Sequence, residues 1–282
     1  MLSVEDIRMY IFLDIDGTLI DYNMKLPHSA RYAVNEARKN GHKVLYCTGC
    51  STIEIDIRHY DLAIDGFIGG NGCYIEYEGK VIRHQSLTRE QCNHFTKWCE
   101  DRDLAYRLEC NSGMYISDGY EEKSLEARRK YSGVDNPPMN PCMVAGGNLD
   151  RDDVNKTAFV LKSYQDYIDA LNEFPDMVVG HWGGVGELAL YGDTSPIGVN
   201  KGDSILYLLD YLGEDNDDTI GFGDAMSDLP MFEVCKHKVA MGNAGDIVKE
   251  AATYVTGAVD DYGLYDAFVH FGLIEDTFVK TK

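Results

Sequence analysis

Several apolar runs in this chain end in a carboxylate or a hydroxyl, and they lie at opposite ends of the sequence. Tyr10 to Leu13 runs into Asp14-Ile15-Asp16-Gly17-Thr18, and Val44 to Cys47 runs into Thr48-Gly49. Far downstream, Thr219 to Phe222 runs into Gly223-Asp224-Ala225-Met226-Ser227-Asp228, and Lys201 opens a helical pattern. An open parallel sheet binds ligands outside the carboxyl ends of its strands. Four polar sites, each at a strand end or a helix start, therefore suit one pocket. Carboxylates crowded together repel one another unless a cation joins them, and oxygen-rich acidic sites suit Mg²⁺ rather than a soft metal.

The hydrophobic pattern around these sites alternates between strand and helix. Residues 10 to 14 predict a buried strand, and Ser29 to Asn40 a helix with Ala30, Ala33, Val34 and Ala37 on one face. Lys43 to Cys47 reads as a second strand, Ser51 to His59 as a short helix and Gly66 to Gly69 as a third strand. Tyr74 to Tyr77 and Lys80 to Ile82 flank Glu78-Gly79 as a hairpin. Near residue 83 the texture changes. Thr88 to Arg102 predicts an amphipathic helix with Cys92, Phe95, Trp98 and Cys99 inward. Strands follow at 104–108, 114–117, 157–161, 177–181 and 187–191, with helices at 121–131 and 164–174 and a proline-bearing loop at 136–147. After Pro196 the strand–helix alternation resumes. The expected architecture is α/β: a Rossmann-like parallel-sheet core, 1–82 and 193–282, with an inserted α+β cap domain, 83–192.

The 282 residues suffice for one large or two medium domains, and 44% hydrophobic content supports a real core. A formal net charge of −21 argues against nucleic acid, whose phosphates require a basic face, and against anionic membrane surfaces. No apolar run approaches the ~20 residues that span a bilayer, and Met1 to Met9 lacks a signal-peptide pattern. Eight scattered cysteines without framework spacing point to reduced thiols and a cytoplasmic setting. Cys47-Thr48-Gly49-Cys50 has Cys-x-x-Cys spacing, but a redox pair needs both thiols at a helix N-terminus, and Cys47 ends a strand.

A carboxylate can attack phosphorus as a covalent nucleophile. A second carboxyl two residues on can protonate the leaving oxygen and then deprotonate a water. Asp14 and Asp16 have that spacing. A strand ending in a solvated Asp-Gly turn has it too. Gly17 permits the tight turn, and its N–H is a candidate phosphate donor. Asp224 and Asp228, at i and i+4, share one face of a helix's first turn, where they serve as ligands or as N-terminal caps. Thr48 can donate to a phosphate or cap the next helix. Lys201 can neutralise a phosphate and hold Asp14 ionised.

Taken in order, Asp-x-Asp-Gly-Thr, Thr-Gly, Lys and Gly-Asp-x-x-x-Asp resemble the haloacid dehalogenase superfamily of phosphotransferases. The inserted block resembles its C2 cap, and the whole chain resembles the Cof-type group, with Asn71-Gly72 and Met241-Gly242-Asn243-Ala244 in keeping. The resemblance implies that Asp14 is the nucleophile and a Mg²⁺ ligand. It implies that Asp16 is the acid/base, with its main-chain carbonyl on the metal. Asp224 becomes the second carboxylate ligand and Asp228 its supporting partner. Thr48, Gly49 and Lys201 form the phosphate cradle, with Gly17 and Ser227 beside it. Two positions depart from the group: Cys50 replaces its usual Arg, and Ser227 its usual Asn. A thiol cannot replace the bidentate fork of Arg, so the departure falls on substrate preference.

The expected function is that of a Mg²⁺-dependent phosphatase acting on small phosphorylated metabolites, sugar phosphates foremost, through an aspartyl-phosphate. A phosphosugar mutase shares that step but needs cap arginines for a distal phosphate, and the cap's basic residues cluster in Glu121 to Lys130. A non-catalytic metal- or phosphate-binding protein is the third reading, disfavoured because every charged catalytic position is filled. His181-Trp182 and Arg107 are cap candidates for substrate contact, set against core and solvated positions respectively.

Overall fold

The computed structural model describes residues 8–58, 62–132, 140–183 and 189–280. The chain runs β1 (Tyr10–Leu13), α1 (His28–Lys39), β2 (Lys43–Cys47), α2 (Thr52–Arg58), β3 (Gly66–Gly69), β4 (Tyr74–Tyr77) and β5 (Lys80–His84). It continues α3 (Arg89–Asp101), β6 (Tyr106–Cys110), β7 (Gly113–Ile116), α4 (Tyr120–Ser132), β8 (Met143–Ala145), β9 (Val154–Val160), α5 (Tyr164–Glu173), β10 (Met177–Trp182) and β11 (Tyr191–Pro196). It closes with α6 (Lys201–Leu212), β12 (Thr219–Gly223), α7 (Leu229–Val234), β13 (His237–Ala240), α8 (Asp246–Ala251), β14 (Tyr254–Val255) and α9 (Gly263–His270). Two compact units result. One gathers the described residues of Met1–Gly49, Tyr60–His84 and Asn200–Lys282, and the other those of Cys50–His59 and Gln85–Val199.

The first unit is built on an eight-stranded sheet in the order β14-β13-β12-β1-β2-β3-β4-β5. Every pair from β14 to β3 is parallel, and the β3–β4–β5 end is antiparallel. Parallel strands need covering on both faces, and β1 and β12 are accordingly buried along their whole length. Alternation along β1 sends Tyr10 and Phe12 into a core shared with Ile205, Leu208 and Leu209 of α6 and Met231 and Phe232 of α7. Each such fully buried side chain contributes about 1.5–3 kcal/mol. On α1, Ala30, Ala33, Val34 and Ala37 are buried, the spacing that the sequence predicts.

Caps fix where the important helices start. Asn200 accepts the Asp203 N–H at 2.8 Å, which sets Lys201 at the first position of α6. Gly213, at φ +72, ends that helix in the left-handed region that glycine tolerates best.

The second unit carries a six-stranded sheet, β10-β11-β9-β6-β7-β8, antiparallel except for β7–β8. Helix α3 starts in a capping box in which Thr88 and Gln91 exchange bonds of 3.0 and 3.1 Å. Its Cys92, Phe95, Trp98 and Cys99 enter a core with Tyr106, Leu108, Phe159 and Phe174.

Four expectations are corrected. The boundary at 192/193 falls inside β11, which pairs with both β9 and β10, so the second unit runs on to Val199. The strand expected at 187–191 gives way to β11 at Tyr191–Pro196; Glu187 and Leu188 lie outside the described residues. Tyr-Gly-Asp-Thr-Ser-Pro is poor in strand formers, so its extended run carries no local signal. Within the expected loop 136–147, Met143–Ala145 forms β8 beside β7; residues 136–139 of that loop lie outside the described set. The described residues 50–58 also cluster with the second unit, not with the core expected from the sequence. Among the described residues, no helix is long and apolar enough to cross a membrane.

Candidate active site

The carboxyl edge of the parallel sheet brings β1 and β12 side by side. Leu13 pairs with Phe222, and the Asp14 N–H continues the ladder to the Phe222 carbonyl at 3.0 Å. That register sets Asp14 opposite Gly223, one residue before Asp224. The carboxylates of Asp14, Asp224 and Asp228 consequently converge, with one oxygen of each within 4.8 Å of the others.

Lys201 ties this cluster together. Its Nζ stands 2.7 Å from Asp14 Oδ1 and 2.6 Å from Asp228 Oδ1, and the lysine is 1% exposed. Burial opposes its charge, but Asp14 and Asp228 outweigh burial and hold the ammonium above the usual lysine range. Helix α6 is seated by Ser204, whose hydroxyl donates to the Gly72 carbonyl at 2.9 Å, beneath the 3₁₀ turn Gly70–Gly72. In that turn Asn71 adopts φ +57, and its N–H donates to the Thr48 carbonyl at 3.1 Å. The loops after β2 and β3 and the start of α6 are thus interlocked.

Asp228 has little left to offer a ligand. Its Oδ1 takes the Lys201 ammonium, and its Oδ2 takes the N–H groups of Asp224 and Ala225, both at 3.0 Å. It orients the loop that presents Asp224. Asp224 takes the Thr18 hydroxyl on Oδ1 at 3.1 Å, and on Oδ2 the Tyr22 hydroxyl at 2.5 Å and the Asn243 amide at 3.4 Å. Asn243 also donates to the Gly17 carbonyl at 2.8 Å and accepts the Val259 N–H at 2.9 Å, joining the loops after β1 and β13.

Three buried carboxylates face one ammonium. Burial first, then the neighbouring Asp228, lifts the Asp14 carboxyl well above its ordinary range in spite of Lys201. Burial first also lifts Asp224, again with Asp228 adding to it. A divalent cation on Asp14 and Asp224 would relieve both effects. The donors are all oxygen, so the residues fit a hard divalent cation.

The remaining expected residues fall as follows. Asp16 is half-buried in the turn after Asp14, and its main chain bridges to Ile20. Gly17 adopts φ +91, and a β-carbon there would lie 2.3 Å from Asp224 Oδ2, so glycine is required. Its N–H donates to the Ile20 carbonyl at 2.8 Å, which corrects the expectation that it serves a phosphate. Thr48 is buried at the end of β2, its N–H on the Ile68 carbonyl at 2.9 Å. A β-carbon on Gly49 would lie 3.1 Å from Asn71 Oδ1. Ser227 is exposed on the 3₁₀ turn Met226–Asp228. Cys47 is fully buried in the core, and burial pushes its thiol up, the opposite of a reactive cysteine.

In the second unit, Arg107 is neither solvated nor open to a ligand. Its Nε donates to Glu109 at 2.7 Å and its Nη1 to the Tyr120 hydroxyl at 2.9 Å. Trp182 stacks on Tyr191 at 4.1 Å, and His181 sits against Tyr164 and Tyr167. Sequence reasoning gave no role to Thr18, Tyr22 or Asn243. Thr18, in Asp-x-Asp-Gly-Thr, and Asn243, in Met-Gly-Asn-Ala, stood in motifs without a role, and Tyr22 stood in none.

Comparison with known proteins agrees with this geometry. Residues 11–268 match the model of the haloacid dehalogenase-like hydrolases. A putative phosphatase of Bacillus subtilis strain 168, YkrA, is 28% identical over 265 residues, which cover 94% of this chain and 98% of that protein. The 5-amino-6-(5-phospho-D-ribitylamino)uracil phosphatase YwtE of the same organism is 24% identical over 283 residues, covering 90% and 94%. The crystal structure of a hypothetical protein from Geobacillus kaustophilus HTA426 superposes with a TM-score of 0.80 at 27% identity, over 95% of this chain and all of that one.

Proposed function

The chain belongs to the haloacid dehalogenase-like hydrolase family, as an enzyme of its phosphatase kind, and on that footing we propose that it is a Mg²⁺-dependent phosphatase of small phosphorylated metabolites, sugar phosphates foremost. The observation that carries the reading is the Lys201 ammonium, held between Asp14 and Asp228 beside Asp224. In this reading Asp14 Oδ attacks phosphorus and forms an aspartyl-phosphate as the ester P–O bond breaks. Asp16 gives its proton to the departing alkoxide. It then takes a proton from a water that attacks phosphorus, which releases inorganic phosphate and restores Asp14. Lys201, the Thr48 hydroxyl and the loop at Gly49 neutralise and orient the phosphoryl oxygens. Asp14, the Asp16 carbonyl and Asp224 would hold Mg²⁺, which supplies Lewis-acid neutralisation of the phosphoryl charge when bound. Asp228 keeps Lys201 and the Asp224 loop in place.

The substrate class is supported by the relative named for a phosphoribitylamino-uracil, a small phosphate ester of a sugar alcohol. The net charge of −21 speaks against nucleic-acid and anionic membrane partners. Eight buried cysteines, none in a disulfide, support a cytoplasmic setting.

The test is phosphate release across a panel of phosphorylated metabolites and an aryl phosphate, in Mg²⁺ and in chelator, with no bisphosphate activator. Release that needs Mg²⁺ and vanishes in Asp14→Asn supports the reading. Release from none of them, or equal rates in chelator, overturns it.

A further inference from the structure

Tyr22 stands in the excursion after β1, and the residue is largely exposed, at 69%. Its hydroxyl nevertheless turns inward, onto Asp224 Oδ2 at 2.5 Å. The space it uses is the one that Gly17 leaves open, since a β-carbon on Gly17 would lie 2.7 Å from the Tyr22 oxygen. An exposed tyrosine has many rotamers in water, so a hydroxyl aimed at one buried carboxylate oxygen asks for a reason.

The donors on Asp224 are divided unequally. Oδ2 receives the Tyr22 hydroxyl and, at a long 3.4 Å, the Asn243 amide, whereas Oδ1 receives the Thr18 hydroxyl. A carboxylate oxygen has two lone pairs, so Oδ2 is filled while Oδ1 keeps one free. Ca²⁺ and Mg²⁺ differ in what they ask of such a group. The larger Ca²⁺ takes six to eight oxygens and readily accepts a bidentate carboxylate. Mg²⁺ demands an octahedron of single oxygens.

We propose that Tyr22 sets metal selectivity at this site, by occupying Asp224 Oδ2 so that Asp224 offers a cation one oxygen only, a mode that suits Mg²⁺ and disfavours Ca²⁺. Tyr22 is a positioning residue here: it touches a ligand of the cation and acts through it. The inference rests on the reading of Asp14 and Asp224 as the cation's holders, and it adds a residue outside the four recognised motifs. Tyr22→Phe keeps the ring and removes only the hydroxyl. The freed Oδ2, left with the long Asn243 contact, becomes available to a bidentate ion.

The experiment is calorimetric titration of the metal-free protein with Mg²⁺ and, separately, with Ca²⁺, in wild type and in Tyr22→Phe. Thermal unfolding in chelator checks that both are folded. A hydrogen bond to a charged group sets the scale, so the ratio of the Ca²⁺ to the Mg²⁺ dissociation constant should fall about tenfold in the variant. A structural role alone would weaken both ions together and leave that ratio unchanged, which overturns the proposal. A ratio that rises overturns it too. If wild-type protein binds neither ion, the cation reading fails and this inference with it. If wild type binds both and only the ratio fails to move, the cation reading stands and the role of Tyr22 falls.

Discussion

Replacing Lys201 by Met removes the one ammonium in the carboxylate cluster while keeping an unbranched stem of similar length. In the native protein that ammonium lies 2.7 Å from Asp14 and 2.6 Å from Asp228, with 1% of the lysine exposed. Asp228 would keep two backbone donors, the N–H groups of Asp224 and Ala225. Asp14 would lose the charge that opposes its own burial. Breaking a buried ion pair from one side costs about 3–5 kcal/mol, because the partner is left buried and uncompensated. At about 2–4 °C of Tm per kcal/mol for a chain of this size, the loss in chelator should be about 10 °C. Saturating Mg²⁺ should narrow the gap, since the ion supplies positive charge to the same carboxylates. Thermal unfolding followed by near-ultraviolet circular dichroism, with and without Mg²⁺, measures both quantities. Turnover on an aryl phosphate should fall by about 10²–10³-fold, the scale of losing one preorganised electrostatic group. A variant within 2 °C of wild type in chelator, on the same ~2–4 °C per kcal/mol scale, would refute the argument that this charge holds the cluster together. A gap that Mg²⁺ leaves unchanged would show that packing, not charge, sets it.

Asp14→Asn should abolish turnover while the fold persists, because an amide is a poor nucleophile; a tenth or more of wild-type phosphate release would remove Asp14 from that role. Gly17→Ala places a β-carbon 2.3 Å from Asp224 Oδ2 at φ +91, so calorimetry should show weaker Mg²⁺ binding together with a Tm loss from about 1–2 kcal/mol of left-handed strain. In Asp65, burial pushes the carboxyl up, but the Arg38 fork at 2.9 and 3.1 Å and the Val44 N–H at 3.0 Å bring it below the usual carboxylate range. A lowered folded pKa gives stability that is present above the unfolded value, about 4, and is lost as pH falls through the folded one. Asp65→Asn should therefore cost about 1.5–3 kcal/mol in urea melts at pH 7, with the difference from wild type shrinking below pH ~4; a constant difference would contradict the pairing. Phe95, edge-on to Tyr106 and Phe159 in the second unit's core, should cost about 3–5 kcal/mol on truncation to Ala, read as earlier loss of the near-ultraviolet signal.

The parallel core was legible because its signals are local. Buried strands of four or five apolar residues and alanine-faced α1 need only periodicity, and strand order then brings the residue after each strand to one edge. Asp14, Thr48 and Asp224 could be read from that rule alone. Strand β11 could not, since Gly192, Asp193 and Ser195 are extended only because β9 and β10 flank them. Thr18, Tyr22 and Asn243 were missed for a related reason. Their hydroxyls and amide reach Asp224 through loop closures around Gly17, and a positive φ at one glycine leaves no pattern that spacing could reveal. The N–H of Gly17 was misjudged likewise, because its bond to Ile20 depends on how tightly the turn closes.

Burial alone does not decide the state of a carboxylate in this protein; the cations beside it do. Glu109 in the second unit is 1% exposed, and burial pushes its carboxyl up, yet Arg107 and Lys156 reverse the effect and hold it below the usual range. Asp14 is buried to a similar degree and has Lys201, but it shares that ammonium with Asp228 and lies near Asp224, so its carboxyl stays above the usual range. In the first case Glu109 is paired directly with both cations, whereas Glu54 and Asp193, which share them, stay pushed up by burial. One cation must satisfy three acids in the second. An uncompensated charge is costly in a low-dielectric interior. A cation among Asp14, Asp224 and Asp228 would relieve that cost, so Asp14 and Asp224 are the carboxylates expected to respond when Mg²⁺ is added.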